Sequence, residues 1–288
     1  MSVLRRSSGT LASFFAGIAL AATAPAQVPQ LDLAELLASR ATDWTLARVR
    51  GQPAVLVIQF PNLQQQGLAF NRAAALIEKT GASRDRVLDD RALKDLIKRS
   101  GDNEQTFYQG HGYVTEGLAR FFTLAVAQRV VLNAQEQRLL KLLQEARSLS
   151  AQPVGYVAQG LQSVVSFTAI QADDPRTPQD EGIDAIRRES VLRHELSHGL
   201  FFTDRNYSEH CWRFWRNGLS SDDRQLFRKM LARMHYDASN EALMVNEAQA
   251  FLMHTPDTRA FNAAALGVNA VRLAEMRRRF ARDLPPSR

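Results

Sequence analysis

Three residues with the types and spacing of a metal-activated hydrolase site lie in one short segment: His194, Glu195 and His198. Residues four apart share one face of a helix, so the two imidazoles can reach the same ion. A catalytic zinc ion uses three protein ligands and leaves its fourth position to water. The carboxylate beside the first histidine can then act as general base toward that water. The pattern therefore predicts Zn²⁺ as the cofactor and hydrolysis as the chemistry.

The surrounding segment, 187–204, has the pattern of a buried helix. Leu192, Leu196 and Leu200 form an apolar stripe at helical spacing, next to the stripe that carries the two histidines. An accidental match would leave two imidazoles on a buried face without partners, which costs free energy. Because one metal ion gives both imidazoles a partner, we favour the metal interpretation over accident.

A third protein ligand is needed, and Glu247 is the residue that we favour. It lies in a predicted helix, 239–253, on an apolar stripe that also contains Leu243 and Phe251. A carboxylate on such a face is rarely left unpaired, and a zinc ion would pair it. Glu241 has a simpler explanation as a first-turn acid at the helix N-terminus. The alternative for Glu247 is a salt bridge with one of the many arginines.

Asp204 is the competing ligand, because it lies six residues beyond His198, where one branch of such enzymes places its third ligand after a glycine turn. Here Phe201 holds the turn position, and a chain without glycine reverses toward the metal with difficulty. We therefore expect Asp204 near the helix end or as the cap of the next helix. Glu209 and His210 lack a comparable positional argument.

Hydrolysis also needs a hydrogen-bond donor for the oxyanion that develops on the substrate. Tyr236, His235 and His254 lie near the second predicted helix and are the candidates, among which the sequence does not choose. His111 lies in the glycine- and aromatic-rich segment 107–113, which we interpret as a loop that lines a pocket. A histidine in such a loop is more often a hydrogen-bonded loop residue than a metal ligand.

The segment 162–254 resembles the zincin superfamily of zinc metallopeptidases, and within it the gluzincin branch. The resemblance rests on His-Glu-Leu-Ser-His at 194–198 and on the pair Asn246-Glu247. It implies the following roles: metal ligands His194, His198 and Glu247, with Glu195 as base and proton shuttle. The chain departs from the thermolysin-like pattern at Phe251, where an acid would orient the first histidine. The resemblance therefore leaves the groups that orient the ligands unidentified.

The remaining patterns predict an α+β fold that is mainly helical, with a small sheet beside the motif helix. Two β-branched runs, 54–60 and 162–170, predict strands. The second run is either an internal strand or an exposed edge that accepts an extended peptide next to the metal. Apolar residues at helical spacing predict helices at 31–38, 68–79, 86–99, 115–131, 134–149, 208–215, 221–234, 239–253 and 272–283.

The first 26 residues predict a secretory signal peptide, with Arg5 and Arg6 before an apolar stretch and an Ala-Pro-Ala cleavage site. We expect an exported protein, in a bacterial periplasm or outside the cell, without a transmembrane segment after cleavage. The remainder divides into a mainly helical region, 27–160, and a metal-binding region, 161–288. These two regions could also form one continuous domain.

The composition of the 288 residues, 45% hydrophobic and 23% charged, is that of a globular protein. The formal net charge of +6 falls to +4 when Arg5 and Arg6 are removed, which leaves 34 basic and 30 acidic residues. This excess is diffuse and no nucleic-acid-binding module is recognisable, so we expect no nucleic-acid partner. Cys211 is the single cysteine, which excludes an intramolecular disulfide.

Together these patterns predict a zinc metallopeptidase with a peptide or protein substrate. Two alternatives stay open. One is a non-catalytic or regulatory zinc-binding protein, whose fourth coordination position is closed. The other is a hydrolase of a non-peptide amide, such as one in cell-wall material. A metal site that opens to a cleft would favour catalysis, whereas a closed site would favour the non-catalytic alternative.

Overall fold

The structure, a computed structural model, describes residues 27–282 and 284. The predicted signal peptide, 1–26, lies outside the described residues. The described chain is α+β and mainly helical, and its small sheet lies beside the motif helix, as the sequence predicts. No helix of the described residues combines the length and apolar character needed to cross a membrane.

In the described part of the chain, five strands form the main sheet, and two further strands form a hairpin. The main sheet has the order β1-β2-β3-β7-β4. Strands β3 and β7 are parallel, whereas β4 pairs with β7 in the antiparallel direction. The sheet thus combines strands from both sides of residue 160. The strands are β1 (Gln30–Leu31), β2 (Thr45–Val49), β3 (Gln52–Phe60), β4 (His111–Val114), β5 (Leu149–Gln152), β6 (Gly155–Ala158) and β7 (Ser163–Thr168).

Strand β7 is buried along its whole length and is paired on both sides. A strand that is covered on both faces reads as a continuous apolar run, which explains its β-branched sequence. The edge interpretation of 162–170 is therefore wrong, and the internal-strand interpretation is confirmed. The edge strand next to β7 is β4, which begins in the segment that the sequence predicts to be a loop.

Eleven α-helices are present among the described residues, and Phe214–Gly218 forms a π-helical turn. Their ends are set by capping side chains: the Asp89 carboxylate accepts from the N–H of Ala92, which shortens the predicted 86–99 helix. The helices are α1 (Leu33–Ala38), α2 (Leu63–Ile77), α3 (Asp90–Arg99), α4 (Thr115–Ala127), α5 (Ala134–Glu145), α6 (Ala185–Thr203), α7 (Arg205–Arg213), α8 (Ser221–Arg233), α9 (Glu241–His254), α10 (Ala263–Leu266) and α11 (Ala270–Arg282).

Helix α6 lies between the sheet and the C-terminal helices, so both of its apolar stripes are covered. Leu192 packs with Val55 and Val57 of β3 on the sheet side. On the other side, Phe201 joins a core that α7, α8, α9 and α11 also form. Gly199 permits the close approach, because a Cβ there would lie 2.7 Å from Val55 Cγ1. The helix that carries the motif is therefore held rigidly from both sides.

Candidate metal centre

Helix α6 presents the side chains of His194, Glu195 and His198 in one buried group. Their potential ligand atoms all lie within 4.8 Å of one another. The two imidazole rings stand nearly perpendicular, at 87°, with their centroids 4.7 Å apart. Such a group could hold a metal ion.

A hydroxyl fixes the orientation and the tautomer of the first imidazole. His194 Nδ1 lies 2.8 Å from Thr255 Oγ1, and this hydroxyl donates to the carbonyl of Ala250 at 3.0 Å. Because the hydroxyl proton is used there, the oxygen accepts from Nδ1–H of His194. The lone pair of His194 is therefore on Nε2, on the side of the ring that faces the other ligand candidates.

A side-chain amide fixes the orientation and the tautomer of the second imidazole. His198 Nδ1 lies 2.9 Å from Asn246 Oδ1, which can only accept, so His198 also carries its proton on Nδ1. Gln249 donates to the same Asn246 oxygen at 3.3 Å, and the hydroxyl of Tyr207 donates to Gln249 Oε1 at 2.6 Å. This chain of hydrogen bonds holds His198 in place. Such support commonly keeps a metal-binding imidazole in the correct tautomer.

Removing the hydroxyl that orients His194 tests this geometry. Thr255→Val keeps the shape of the side chain but loses the acceptor for Nδ1–H, so, if the group holds zinc as the sequence predicts, we expect the zinc affinity to fall by about 10- to 100-fold. Zinc affinity is measured by competition with a chelator of known affinity. Thr255→Ser is the matched control, because it keeps the hydroxyl and should stay close to the wild type. Equal zinc affinity in the Val and Ser variants would contradict the assigned role.

Glu247 of α9 faces both imidazoles. Its Oε2 lies 3.5 Å from His194 Nε2, and its Oε1 lies 3.4 Å from His198 Nε2. Two ligands at about 2.05 Å from a tetrahedral zinc ion stand about 3.3 Å apart, so these separations match the spacing of zinc ligands. Glu195 completes the compact group on α6, but Glu247 is the carboxylate that approaches both Nε2 atoms at ligand spacing.

The electrostatics of the group fit a bound cation. Burial lowers the pKa of both imidazoles to about 4, so at neutral pH their Nε2 atoms carry lone pairs and no charge. Burial raises the pKa of Glu247 and Glu195, and the repulsion of Glu247 raises that of Glu195 further. One oxygen of each carboxylate, Oε2, is buried without a hydrogen-bond partner. A cation between these groups would satisfy the carboxylates and both lone pairs together.

A third buried carboxylate, Glu78, lies beside the group at the end of α2. Its pKa is raised to about 8 by burial and by the charge of Glu247. The hydroxyl of Tyr113 donates to Glu78 Oε1 at 2.8 Å. His111 Nδ1 lies 3.0 Å from the same hydroxyl, and burial lowers the pKa of His111 to about 3. His111 is thus a hydrogen-bonded residue of β4, and the loop prediction fails at residues 111–113.

Strand β4 and the residue directly before it pass very close to α6, and glycine at positions 110 and 112 makes this possible. A Cβ on Gly110 would lie 2.5 Å from Glu195 Oε1, and one on Gly112 would lie 2.8 Å from His198 Cβ. The alternating burial of β4 reflects a strand with one face against the core. Glycine weakens strand propensity, which is why the segment resembles a loop in sequence.

Two cavities meet at the group. The His198-side cavity, of about 170 Å³, contains Phe202 and Leu243 in its wall. The larger His194-side cavity, of about 380 Å³, extends toward Lys79 and His235. Four residues belong to the walls of both cavities: Tyr108, Gly110, Glu195 and Tyr236. The group therefore faces space on both sides.

The other predicted site residues occupy different places. Tyr236 stands where the two cavities meet, and His235, with φ of 64°, lines the larger one. His254 lines neither cavity. The Tyr207 proton is used at Gln249, so His254 Nε2–H donates to the Tyr207 oxygen at 2.8 Å. His254 is thus committed to the support of the site and has no free Nε2–H for an oxyanion.

Asp204 caps a helix, as expected. Its backbone ends α6, and its carboxylate accepts from the N–H of Tyr207 at 3.0 Å to begin α7. Glu209 pairs with Arg205 at 2.7 Å on the surface. The ring of His210 packs edge-on against Phe280.

Two residues of the site, Glu78 and Lys79, carry no signal in the sequence, because they lie far from the motif along the chain and reach it through folding. Tyr108 belongs to the segment 107–113, which the sequence predicts to line a pocket, and it lines both cavities. An isolated β-bridge between Lys79 and Tyr236 joins the end of α2 to the segment before α9.

Comparison with protein-family models, with curated proteins and with solved structures found no match for the chain.

Proposed function

We propose that the protein is a zinc-dependent metallopeptidase with a gluzincin-like site. His194, His198 and Glu247 would hold the zinc ion, and Glu195 would act as the general base. The observation that carries this proposal is the convergence of two imidazole lone pairs and the Glu247 carboxylate at 3.4–3.5 Å, beside a second carboxylate with an unpartnered oxygen. Imidazole and carboxylate together form a donor set that suits zinc.

When bound, zinc supplies Lewis acidity, which acidifies a water molecule to a pKa near ~7 and polarises the carbonyl of the substrate. Glu195 accepts the proton of the attacking water on its carboxylate, one oxygen of which, Oε2, is buried without a hydrogen-bond partner. The same carboxyl then delivers the proton to the nitrogen of the leaving amine. Burial, and after it the charges of Glu247 and Glu78, raise the pKa of Glu195, which strengthens its carboxylate as a base.

Tyr236 is the donor that we propose for the developing oxyanion. Its side chain lines both cavities, next to Glu195. Burial and the charges of Glu247, Glu78 and Glu195 raise its pKa well above the usual value, so the phenol keeps its proton at neutral pH. A protonated phenol in a site sheltered from water stabilises negative charge on a substrate oxygen. His235 lines one cavity only and is the second candidate.

The space around the group supports catalysis rather than a closed metal site. Cavities on both sides of Glu195 leave room for a chain that passes across it. Strand β4 pairs with β7 on one side only among the described residues, so its other edge can hydrogen-bond an extended peptide. We therefore propose a peptide or protein substrate that lies along β4, in the compartment to which the predicted signal peptide exports the protein.

Metal analysis and hydrolysis of an unfolded protein by the mature chain, residues 27–288, test the proposal. We expect about one zinc ion per chain, and hydrolysis that a chelator abolishes and added zinc restores. A folded chain of ordinary stability that binds no zinc would overturn the metal assignment. A chain that binds zinc but hydrolyses neither unfolded proteins nor peptides would favour the non-catalytic alternative.

A further inference from the structure

A buried ammonium group lies in the His194-side cavity. Lys79 follows α2 directly and is only 2% exposed. Its Nζ lies over the rings of Phe107, at 4.2 Å, and Tyr108, at 4.6 Å. Among the described residues, no carboxylate oxygen lies within 4.0 Å of Nζ, and no hydrogen bond satisfies it.

The fold itself gains little from this charge. Burial of an ammonium group is costly unless a counter-charge compensates it, and burial lowers the pKa of the Lys79 amine. The cation–π attraction between the ammonium group and the two aromatic rings offsets part of this free-energy cost. A Met side chain would fill the same space without a charge to desolvate. The charge of Lys79 therefore needs a partner that the described residues do not supply at contact distance.

The other charges on the wall of this cavity are largely neutralised or turned away. Arg187 pairs with Asp180 at 2.7 Å, and Asp257 pairs with Arg259 at 2.7 Å. Among the described residues that line this cavity, Lys79 is the buried cation without an ion pair, and His194 and Glu195 belong to the same wall.

Two further charged residues line the same cavity. Arg233 is exposed and donates to the carbonyl of Ala265 at 2.9 Å, toward the outside. Asp102, and after it Glu78 on the wall of the other cavity, are near enough to raise the pKa of Lys79, but burial outweighs both, and the oxygens of both lie beyond 4.0 Å from Nζ. Asp102 thus offsets part of the charge of Lys79 without occupying its hydrogen-bonding positions.

We propose that Lys79 binds a carboxylate of the peptide substrate and so determines specificity. This inference rests on the proposed function, because it places a substrate in the cavity beside Glu195. The carboxylate belongs either to an acidic side chain near the scissile bond or to the C-terminus of the peptide. In both cases the ammonium donates charge-assisted hydrogen bonds in a site sheltered from water, where they are strong.

Binding without turnover is the first test. The probes are four acetylated pentapeptides, measured by calorimetry on the zinc-loaded Glu195→Gln chain. Two have amidated ends and differ by Glu or Gln at the central position, and two contain only alanine and end in a carboxylate or an amide. We expect at least one carboxylate peptide to bind about tenfold more tightly than its neutral counterpart. The Glu peptide reports the side-chain source and the alanine peptide reports the terminal source.

Substitution of the ammonium then tests Lys79 itself. In Lys79→Met, made in the same background, the preference for carboxylate should disappear, whereas Lys79→Arg should retain it in part. The thermal midpoint of each variant shows that it is folded. If neither carboxylate peptide binds more tightly than its neutral counterpart to the Glu195→Gln chain that keeps Lys79, the proposal is overturned before Lys79 is substituted. A preference that persists in a folded Lys79→Met chain overturns it as well.

Cleavage of a peptide library by the zinc-loaded chain separates this inference from the proposed function. We expect cleavage sites enriched in Asp or Glu at one position, or at a fixed distance from the C-terminus. Lys79→Met should lose this enrichment, and Lys79→Glu should replace it with Lys or Arg, which a purely structural role of Lys79 would not produce. Cleavage without any such preference overturns the inference alone. Absence of cleavage together with discriminating peptide binding overturns the proposed peptidase but supports the carboxylate site.

Discussion

Glu195→Gln is expected to lower kcat/KM by about 10³-fold or more while the chain keeps its zinc, since positioned proton transfer contributes roughly 10²–10⁴-fold. The amide has the same shape as the carboxylate but cannot accept the proton of the attacking water. Glu195 is not among the three ligands that we propose, so the metal should remain. The effect should fall mainly on kcat, because an interaction made only in the transition state is lost. Zinc content and kcat/KM are measured on one preparation.

The matched control is Glu189→Gln on the same helix. Glu189 pairs with Arg193 at the surface, 2.7 Å away, so the control removes one negative charge from α6 without touching the site. We expect wild-type turnover and zinc content in this variant. Wild-type turnover in Glu195→Gln would exclude Glu195 as the base. Loss of zinc in Glu195→Gln would instead make Glu195 a ligand, as the compact His194-Glu195-His198 group allows.

The parts of the site that the sequence predicts are those encoded locally. The spacing of His194 and His198 is a property of one helix, and its periodicity is read directly from the residues. Asp204 has the residue type of a helix cap at a helix end, and it caps α7. Such predictions need no knowledge of what packs against the helix.

The parts that could not be predicted depend on contacts between distant segments. Glu78 and Lys79 reach the walls of the two cavities beside Glu195 because the segment 78–80 joins 235–237. The backbone N–H of Thr80 donates to the carbonyl of His235 at 2.9 Å. No periodicity encodes such a contact, so neither Glu78 nor Lys79 stands out in the sequence.

The group that orients the first imidazole could not be predicted from the sequence either. The thermolysin-like pattern directs attention to position 251, where Phe251 packs its ring edge-on against His194 at 4.8 Å. The hydrogen-bond partner of His194 is instead Thr255, just beyond the end of α9, whose hydroxyl oxygen accepts from Nδ1–H. A threonine after a helix is too common to stand out, and only the docking of α9 against α6 gives this one a role.

Glu247→Ala is expected to remove the zinc, with a loss of affinity beyond the ~100-fold that substitution of a supporting residue causes. The carboxylate faces both Nε2 atoms, so its removal leaves two ligands, one fewer than the three of a catalytic zinc. Zinc content is measured after dialysis against a weak chelator. Hydrolysis should be lost with the metal, whereas the fold should persist, because α9 packs through its apolar residues.

Two control variants show whether the loss of zinc is specific to Glu247. Glu241→Ala removes a carboxylate from the first turn of the same helix, where it pairs with Arg228 at 3.1 Å, and should keep its zinc. Asp204→Ala should also keep its zinc, but it should lose about 1 kcal/mol of unfolding free energy with the helix cap, as urea unfolding measures. Loss of zinc in Asp204→Ala with retention in Glu247→Ala would reverse the assignment. That outcome would require the chain after Phe201 to turn back toward the imidazoles, whereas the cap at Asp204 directs it into α7.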